Sequence, residues 1–259
     1  MSPSATSSSQ NRQQRIVALA RSSGRLDVLA TAQLLQVSPE TLRRDLRLLE
    51  NRGLIRRTYG AILPTEVGRY ETDMSTRETN DADEKIAIAS GAVELIEGAS
   101  TIFLDEGVLP RLISVQLPAD RSLTVVTPSL PIASELAAAA VHEVIILGGR
   151  VRPKTLGTVD QWGIDMLNRL MVDLAFVGTN GVSIERGLTT PDPAVAAAKH
   201  AALNASRQTA LVSEHTKFGV TSFVKFADVS DFDYIVTGTQ LPLTTASRLS
   251  RLGPRVLRY

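Results

Sequence analysis

Arg43, Arg44 and Arg47 follow Ser38 and Thr41 closely, and Arg56 and Arg57 come a short way beyond them. Guanidinium groups gathered in this way favour a polyanion, because each offers a rigid fork of donors that fits two oxygens or the edge of a guanine. The serine and threonine hydroxyls can contact either a base or a phosphate. An arginine pair on an ordinary solvated helix is the plain alternative, and the distribution of charge argues against it. Residues 1–63 carry ten basic and four acidic residues, a net of +6, while the remaining residues carry 18 and 23, a net of −5. The overall charge of +1 therefore hides a basic head on an acidic body, and such asymmetry points to double-stranded DNA or another polyanion as the partner of the head.

For these side chains to act together, residues 39–51 must form a helix with the arginines outward. Ser38 suits the N-cap, where its hydroxyl satisfies an unpaired amide, and Pro39 suits the first helical position. Leu42, Leu46 and Leu49 recur at helical spacing as a buried stripe. Arg44, Arg47 and Asn51 fall on the opposite face with Arg43 beside them, and Gly53 is placed to end the helix. Upstream, residues 28–35 read as a short helix with apolar positions Leu29, Leu34 and Leu35, closed by a tight turn at Gln36 and Val37. Residues 12–20 read as a further helix with Ile16, Leu19 and Ala20 inward. Three helices so spaced form a helix-turn-helix core. Residues 54–62 read as strand, turn, strand, a wing with Arg56 and Arg57 at its base and Tyr59 within it. The helix 39–51 is expected to read base edges in the major groove, and the wing and flanking arginines to fix register on phosphates. The candidate DNA contacts are Ser38, Thr41, Arg43, Arg44, Arg47, Arg56, Arg57 and Tyr59.

The rest of the chain has a different rhythm. Short apolar runs at 101–104, 123–126, 144–147, 174–177, 210–213 and 234–237 read as strands, and residues 84–97, 132–140 and 194–207 read as helices between them. Unbroken apolar strands alternating with helices predict an open, mostly parallel, Rossmann-like α/β sheet, buried on both faces. Its ligand cleft should lie beyond the carboxyl ends of the strands. The expected organisation is a disordered tail (1–10), the winged helix-turn-helix (11–63), a linker (64–83) and an α/β domain for ligand binding and oligomerisation (84–259). There is no cysteine, so disulfides and thiolate chemistry are excluded. No apolar run approaches membrane-spanning length, and the serine-rich start lacks the apolar core of a signal peptide, so a cytoplasmic protein is expected. His142, His200 and His215 form no metal-binding spacing, and no metal or cofactor is expected.

Residues 12–63 resemble the DeoR-type regulators through Val37-Ser38, Thr41-Leu42-Arg43-Arg44-Asp45-Leu46, Leu49-Glu50 and Gly53-Leu54-Ile55-Arg56-Arg57. The resemblance continues through Glu84-Lys85, Phe103-Leu104-Asp105, Ser129-Leu130-Pro131, Leu147-Gly148-Gly149, Gly187-Leu188-Thr189-Thr190 and His215-Thr216-Lys217-Phe218-Gly219. It implies a repressor or activator of sugar-catabolic operons whose second domain is similar to sugar-phosphate isomerases and senses phosphorylated sugars. The loop after the first strand of that domain departs from the pattern. A Ser-Gly-Thr-Thr run is usual after the aspartate, and this chain has Glu106-Gly107-Val108-Leu109, a carboxylate and two apolar residues in place of three hydroxyls. Pro128, Asn180, Ala194-Val195, Tyr59 and Ala61 also differ.

The candidate effector residues are Asp105, Gly107, Ser129, Gly148, Gly149, Arg152, Gly181, Lys199 and Lys217. Lys199 rests on a matching family position, its alternative being an exposed helix lysine. Arg150, Arg152 and Lys154 either hold an anion or are solvated surface charges. The Gly148-Gly149 pair allows close approach of a ligand or simply makes a tight turn. Glu106 repels a phosphate unless Arg152 and Lys217 compensate, or unless the ligand is less anionic than a sugar phosphate. Three readings stand at this point: a metabolite-switched DNA-binding regulator acting as a homo-oligomer, an isomerase-like enzyme tethered to DNA, and a regulator whose pocket no longer binds ligand. No catalytic pair is recognised, because an isomerase needs a placed acid and base and only Glu106 and Glu214 stand near suitable positions.

Overall fold

The computed structural model describes residues 12, 13, 15–17, 19, 20, 23, 26–51, 55–58, 61–64 and 81–259. The chain forms two compact units, Met1–Thr72 and Asp73–Tyr259. In the first, the described residues between 12 and 23 are helical. They are followed by β1 (Leu26–Asp27), α1 (Val28–Leu34), α2 (Pro39–Asn51), β2 (Ile55–Thr58) and β3 (Ala61–Pro64). Strands β2 and β3 pair antiparallel, with Arg57 opposite Ile62 and Thr58 opposite Ala61, which is the expected wing. Strand β1 adds to β3 on its other side. Two residues are too short to show an alternating pattern, so this strand is invisible to periodicity.

Asp27 leaves β1 as the N-cap of α1, its carboxylate accepting the Ala30 amide at 2.9 Å. The turn into α2 is a Schellman motif. Gln36 is left-handed at φ 54, the Val37 amide donates to the Ala32 carbonyl and the Gln36 amide to the Gln33 carbonyl. Ile16, Val17, Ala20, Ala32, Leu42, Leu46, Leu49, Ile55 and Ile62 make the core. Of the expected apolar positions of α1, Leu29 and Leu34 are exposed, at 61% and 59%. The helix instead buries Thr31 and Ala32, and Ala32 joins Leu42 and Leu46 of α2 in the core. Leu19, expected inward, is only half-buried.

The second unit runs through α3 (Ala82–Val93), β4 (Thr101–Leu104), α4 (Val108–Ser114), β5 (Thr124–Thr127), α5 (Leu130–Ala139) and β6 (Glu143–Ile146). The hairpin β7 (Arg150–Val151) and β8 (Thr158–Val159) follows, then α6 (Gln161–Leu167) and β9 (Val172–Val177). The chain continues through β10 (Gly181–Ser183), β11 (Gly187–Thr190), α7 (Pro193–Asn204), β12 (Ser206–Val212), β13 (Val224–Ala227), β14 (Tyr234–Thr237), α8 (Leu243–Ser250) and β15 (Arg255–Arg258). Seven strands form one sheet in the order β15-β14-β12-β9-β4-β5-β6, and every neighbouring pair is parallel.

Adjacent residues of the central strands enter opposite cores. Ile102 and Leu104 pack with Ile88 of α3 and Ile113 of α4, and Phe103 packs with Ala202 of α7. The same split separates Leu174 and Phe176 from Ala175 and Val177. Burial on both faces is the reason these strands read as unbroken apolar runs. The runs 101–104 and 234–237 coincide with β4 and β14, whereas β12 begins four residues before the expected start at 210. Its exposed Arg207 and Gln208 hide that part of the strand. β10, β11 and β13 form a separate antiparallel sheet. That sheet and the edge strand β15 were not expected, because Gly, Thr and Arg interrupt their apolar pattern. Among the described residues, no helix is long and apolar enough to cross a membrane.

Candidate nucleic-acid interface and effector pocket

Helix α2 presents the arginines as expected. Leu42, Leu46 and Leu49 are buried, while Arg43, Arg44 and Arg47 are exposed. The Ser38 hydroxyl caps the helix by accepting the Thr41 amide at 3.2 Å, and the two hydroxyls lie 2.9 Å apart. Glu40 reaches both Arg43, at 3.2 Å, and Arg47, at 3.6 Å. Asp45 is buried and accepts hydrogen bonds from Arg12 Nε at 2.6 Å and Gln13 Nε2 at 3.0 Å. It therefore fastens the first helical stretch to α2. The sequence reading did not single out this residue, though its spacing from Leu42 and Leu49 places it on the buried stripe. Gly53, Tyr59 and the side chains of Asn51, Arg56 and Arg57 lie outside the described residues.

The second site forms where the sheet reverses direction. β4 is flanked by β5 on one side and β9 on the other, so the chain winds outward in both directions from this pair. Open sheets bind ligands at such switch points, beyond the carboxyl ends of the strands. Asp105 and Glu106 sit there in succession, immediately after β4. The carboxylate of Asp105 accepts the Glu106 amide at 2.8 Å and the Gly178 amide at 2.9 Å, and it pairs with the Lys199 ammonium of α7. Lys199 also donates to the Gly178 carbonyl at 3.0 Å and lies 5.7 Å from the Phe226 ring centroid. It is 5% exposed, so it is a buried ion-pair partner and not a surface lysine.

Glu106 points into the loop that joins β7 to β8. Arg152 Nη1 donates to its carboxylate at 2.5 Å and Thr155 Oγ1 donates at 2.5 Å. The side chains of Glu106 and Arg152 are each 8% exposed. Burial pushes the Glu106 carboxyl above its ordinary range; Arg152 opposes this, Asp105 adds to it, and Thr155 and Lys199 oppose it more weakly. Arg152 further approaches Asp192, 3.4 Å from its Nε. Phe103, Leu147, Pro128, Thr158 and Val195 complete the walls of the pocket. An open groove lined by Gly148, Gly149, Arg150, Asp160, Trp162 and Met166 adjoins it, sharing Asp160.

Of the expected effector residues, Asp105 and Lys199 line one pocket together with Glu106, Arg152 meets it only through Glu106, Gly148 and Gly149 line the groove beside it, and Gly107 and Ser129 line neither. Ser129 uses its hydroxyl to cap α5, 3.4 Å from the Ile132 amide, and its backbone bridges to Gly157. Gly149, at φ 138, is required by the hairpin, since a Cβ there would lie 2.1 Å from the Val159 carbonyl oxygen. Gly181 packs against the Val220 carbonyl. Lys217 belongs to another cluster. It pairs with Glu214 at 3.1 Å, and Lys85 pairs with the same carboxylate at 2.6 Å. Burial would raise Glu214, but Lys217 and Lys85 hold it below the ordinary carboxylate range. Beside them Glu84 accepts from the His215 amide at 2.9 Å and meets its Nδ1 at 2.7 Å. Of the two cations expected to offset Glu106, Arg152 does so and Lys217 does not. Thr155, Gly157 and Asp192 were not anticipated, because they converge on Glu106 and its partner Arg152 only through long-range folding. No group of three or more histidine or acidic side chains among the described residues is placed to share a metal ion.

Comparison with known proteins agrees with this division. A profile described as a DeoR-like helix-turn-helix domain matches residues 12–66, and one described as a DeoR C terminal sensor domain matches residues 80–239. The HTH-type transcriptional regulator GlpR of Haloferax volcanii is 34% identical over 247 residues, covering 95% of this chain and 96% of that protein. The glycerol-3-phosphate regulon repressor of Escherichia coli is 28% identical over 240 residues, covering 92% and 94%. Among solved structures, ribose 5-phosphate isomerase A of Methanocaldococcus jannaschii aligns over 54% of this chain and 55% of that one, at 16% identity and a TM-score of 0.39.

Proposed function

The chain belongs to the DeoR family of transcriptional regulators, and on that premise we propose that it represses a carbohydrate-catabolic operon in the cytoplasm and releases DNA when a small sugar-like effector binds in the groove at the mouth of the pocket beyond β4. The observation that carries the reading is α2, capped by Ser38, anchored through Leu42, Leu46, Leu49 and Asp45, and bearing Arg43, Arg44 and Arg47 on its open face. The name of the Escherichia coli relative, a glycerol-3-phosphate regulon repressor, supports repression. We assign base and phosphate contacts to Ser38, Thr41, Arg43, Arg44 and Arg47, with Arg56, Arg57 and Tyr59 at the wing.

The pocket is suited to holding a ligand more than to transforming one. Asp105 and Glu106 are each bound to a buried cation, and Asn180 accepts from the Thr190 hydroxyl at 3.0 Å. A general base must reach its substrate's proton, and these groups are engaged within the protein. One winged helix buries little surface on DNA, so the reading includes a homo-oligomer that links several heads and raises their effective concentration. Gel-shift titration of duplexes from the chain's own genomic neighbourhood, with and without a panel of polyols, sugars and their phosphates, tests the proposal. Operator binding that an effector weakens is the expected result, and conversion of any panel member would favour the enzyme reading instead. Sedimentation of the full chain at micromolar concentration should show at least a dimer.

A further inference from the structure

The loop 152–157 has the construction of an anion cradle. The Arg152 amide donates to the Gly157 carbonyl at 2.8 Å and the Leu156 amide to the Arg152 carbonyl at 2.8 Å, closing the loop on itself. Its interior presents the Arg152 guanidinium and the Thr155 hydroxyl, both buried. At its rim Gly157 has no side chain, and a Cβ there would lie 1.8 Å from Glu106 Oε2. Arg152 Nη1, the Thr155 hydroxyl and the bare Gly157 all face the carboxylate of Glu106, while Arg152 Nε also approaches Asp192. With Glu106 in place the pocket keeps about 20 Å³ of free space, the room of about one water molecule.

We propose that this cradle is an anion subsite occupied from within by Glu106, so that the effector meets it with uncharged hydroxyl groups and a phosphoryl group is excluded while Glu106 remains. The inference rests on the effector-sensing reading above and narrows it to a ligand class. Two buried carboxylates, Asp105 and Glu106, already balance Lys199 and Arg152, and Asp192 adds a further negative charge against Arg152. A phosphoryl group brings about −1.5 to −2 more, with no unmatched cation to receive it. A hydroxyl donor meets the opposite situation, since each carboxylate keeps spare acceptor capacity on its two oxygens.

Calorimetry with inorganic phosphate on the full-length protein tests this. Wild type should show no saturable binding, whereas Glu106→Ser should bind at least roughly tenfold tighter, since like charges forced together cost several kcal/mol. Glu106→Gln removes the charge and with it the ion pair that holds this side chain against Arg152, so that the neutral side chain can swing out of the cradle; it should show a gain in the same direction and decides the matter if the serine variant does not fold. Adding Arg152→Gln to either variant should abolish the gain. Wild-type binding as tight as that of the variants, variants no better than wild type, or a gain that survives loss of Arg152 overturns the proposal. Gel shifts on the same preparations separate the two readings. A wild type that binds no DNA sinks the regulator reading and leaves the phosphate comparison standing, and a DNA-binding wild type that also takes up phosphate sinks only the internal occupant.

Discussion

Arg44→Ala should weaken operator binding by about 1–3 kcal/mol, the worth of a good bidentate base contact, and by more than the same change at Arg43 or Arg47. The ranking follows from Glu40. Arg43 and Arg47 both lie within reach of its carboxylate, at 3.2 and 3.6 Å, and must loosen that hold to engage DNA. All three side chains are at least 57% exposed, so each pair is worth only about 0–1 kcal/mol, which bounds the difference at about fivefold. By the same reasoning Glu40→Ala should tighten binding to any duplex, because it releases two cations and removes one repulsive charge. The assay is a gel-shift titration at two salt concentrations, on an operator selected from random duplexes and on its scrambled counterpart. A base contact shows as a loss confined to the operator. A phosphate contact shows as a loss on both duplexes with a flatter salt dependence. Arg44 is exposed, so its removal should alter stability by no more than about 0.5 kcal/mol, and a melting curve checks this. Unchanged affinity of Arg44→Ala for both duplexes would refute the placement of α2 in the groove.

Three further outcomes are expected. Lys199→Met strands the buried Asp105 carboxylate and should destabilise the protein by about 3–5 kcal/mol in urea denaturation, with Asp105→Asn in the same chain restoring most of it; a single-variant loss below about 1 kcal/mol would show that the amides of Gly178 and Glu106 suffice. Glu106 lies above its ordinary range, with Arg152, Thr155, Asp105 and Lys199 facing it, so falling pH protonates it and removes the repulsive charge. Sulfate, which keeps its charge over this range, should therefore bind wild type more tightly as pH falls and bind Glu106→Gln with no such dependence. Glu214 is held low by Lys217 and Lys85 against the effect of burial. Its contribution to stability is present above the ordinary carboxylate pKa and lost as pH falls through the depressed one, so Glu214→Gln should flatten the acid limb of a melting profile, and an unchanged limb would remove the cluster from the acid response.

What the sequence made legible follows from the range of the interactions concerned. The winged head could be read nearly whole because its signals are local. A cap, a proline, a leucine stripe and a turn lie within about four helical turns of each other, and Ser38, Leu42, Leu46 and Leu49 take the expected places. The parallel sheet was legible because burial on both faces leaves apolar runs. The small antiparallel sheet was not, since Gly181, Thr189 and Lys225 serve packing and register without alternating. In the pocket, Arg152 was recognisable as a cation of undecided role and Glu106 as a carboxylate in an unusual place. Their union was beyond the pattern, because 46 residues separate them and only the fold sets the loop 152–157 against the end of β4. Lys217 stands apart from Glu106 for the converse reason: its position just past a strand is local, but the strand is β12, where Glu214, which also pairs with Lys85, engages it.

The union of Glu106 with Arg152 bears on how the pocket can act as a switch. A ligand shifts a conformational equilibrium only by the difference in its affinity for the two states. In a site whose buried cation waits for an anion, a phosphate supplies that difference by satisfying the cation. Here Glu106 satisfies Arg152 without a ligand, at 2.5 Å and with both side chains 8% exposed, and leaving either partner alone in that setting would cost about 3–5 kcal/mol. The tethered carboxylate thus stabilises the closed cradle in the absence of effector. The free energy that moves the protein must then come from contacts made outside the cradle. The groove beside it has Trp162 77% exposed next to the backbone of Gly148 and Gly149, and under the proposed function it is where the body of a polyhydroxylated ligand would gain apolar contact with its hydroxyls toward Asp105 and Glu106. On this reasoning Trp162→Ala weakens effector-induced release of DNA while leaving operator affinity in its absence unchanged, a split visible in one gel-shift series, and equal release by the variant and wild type would place the effector elsewhere.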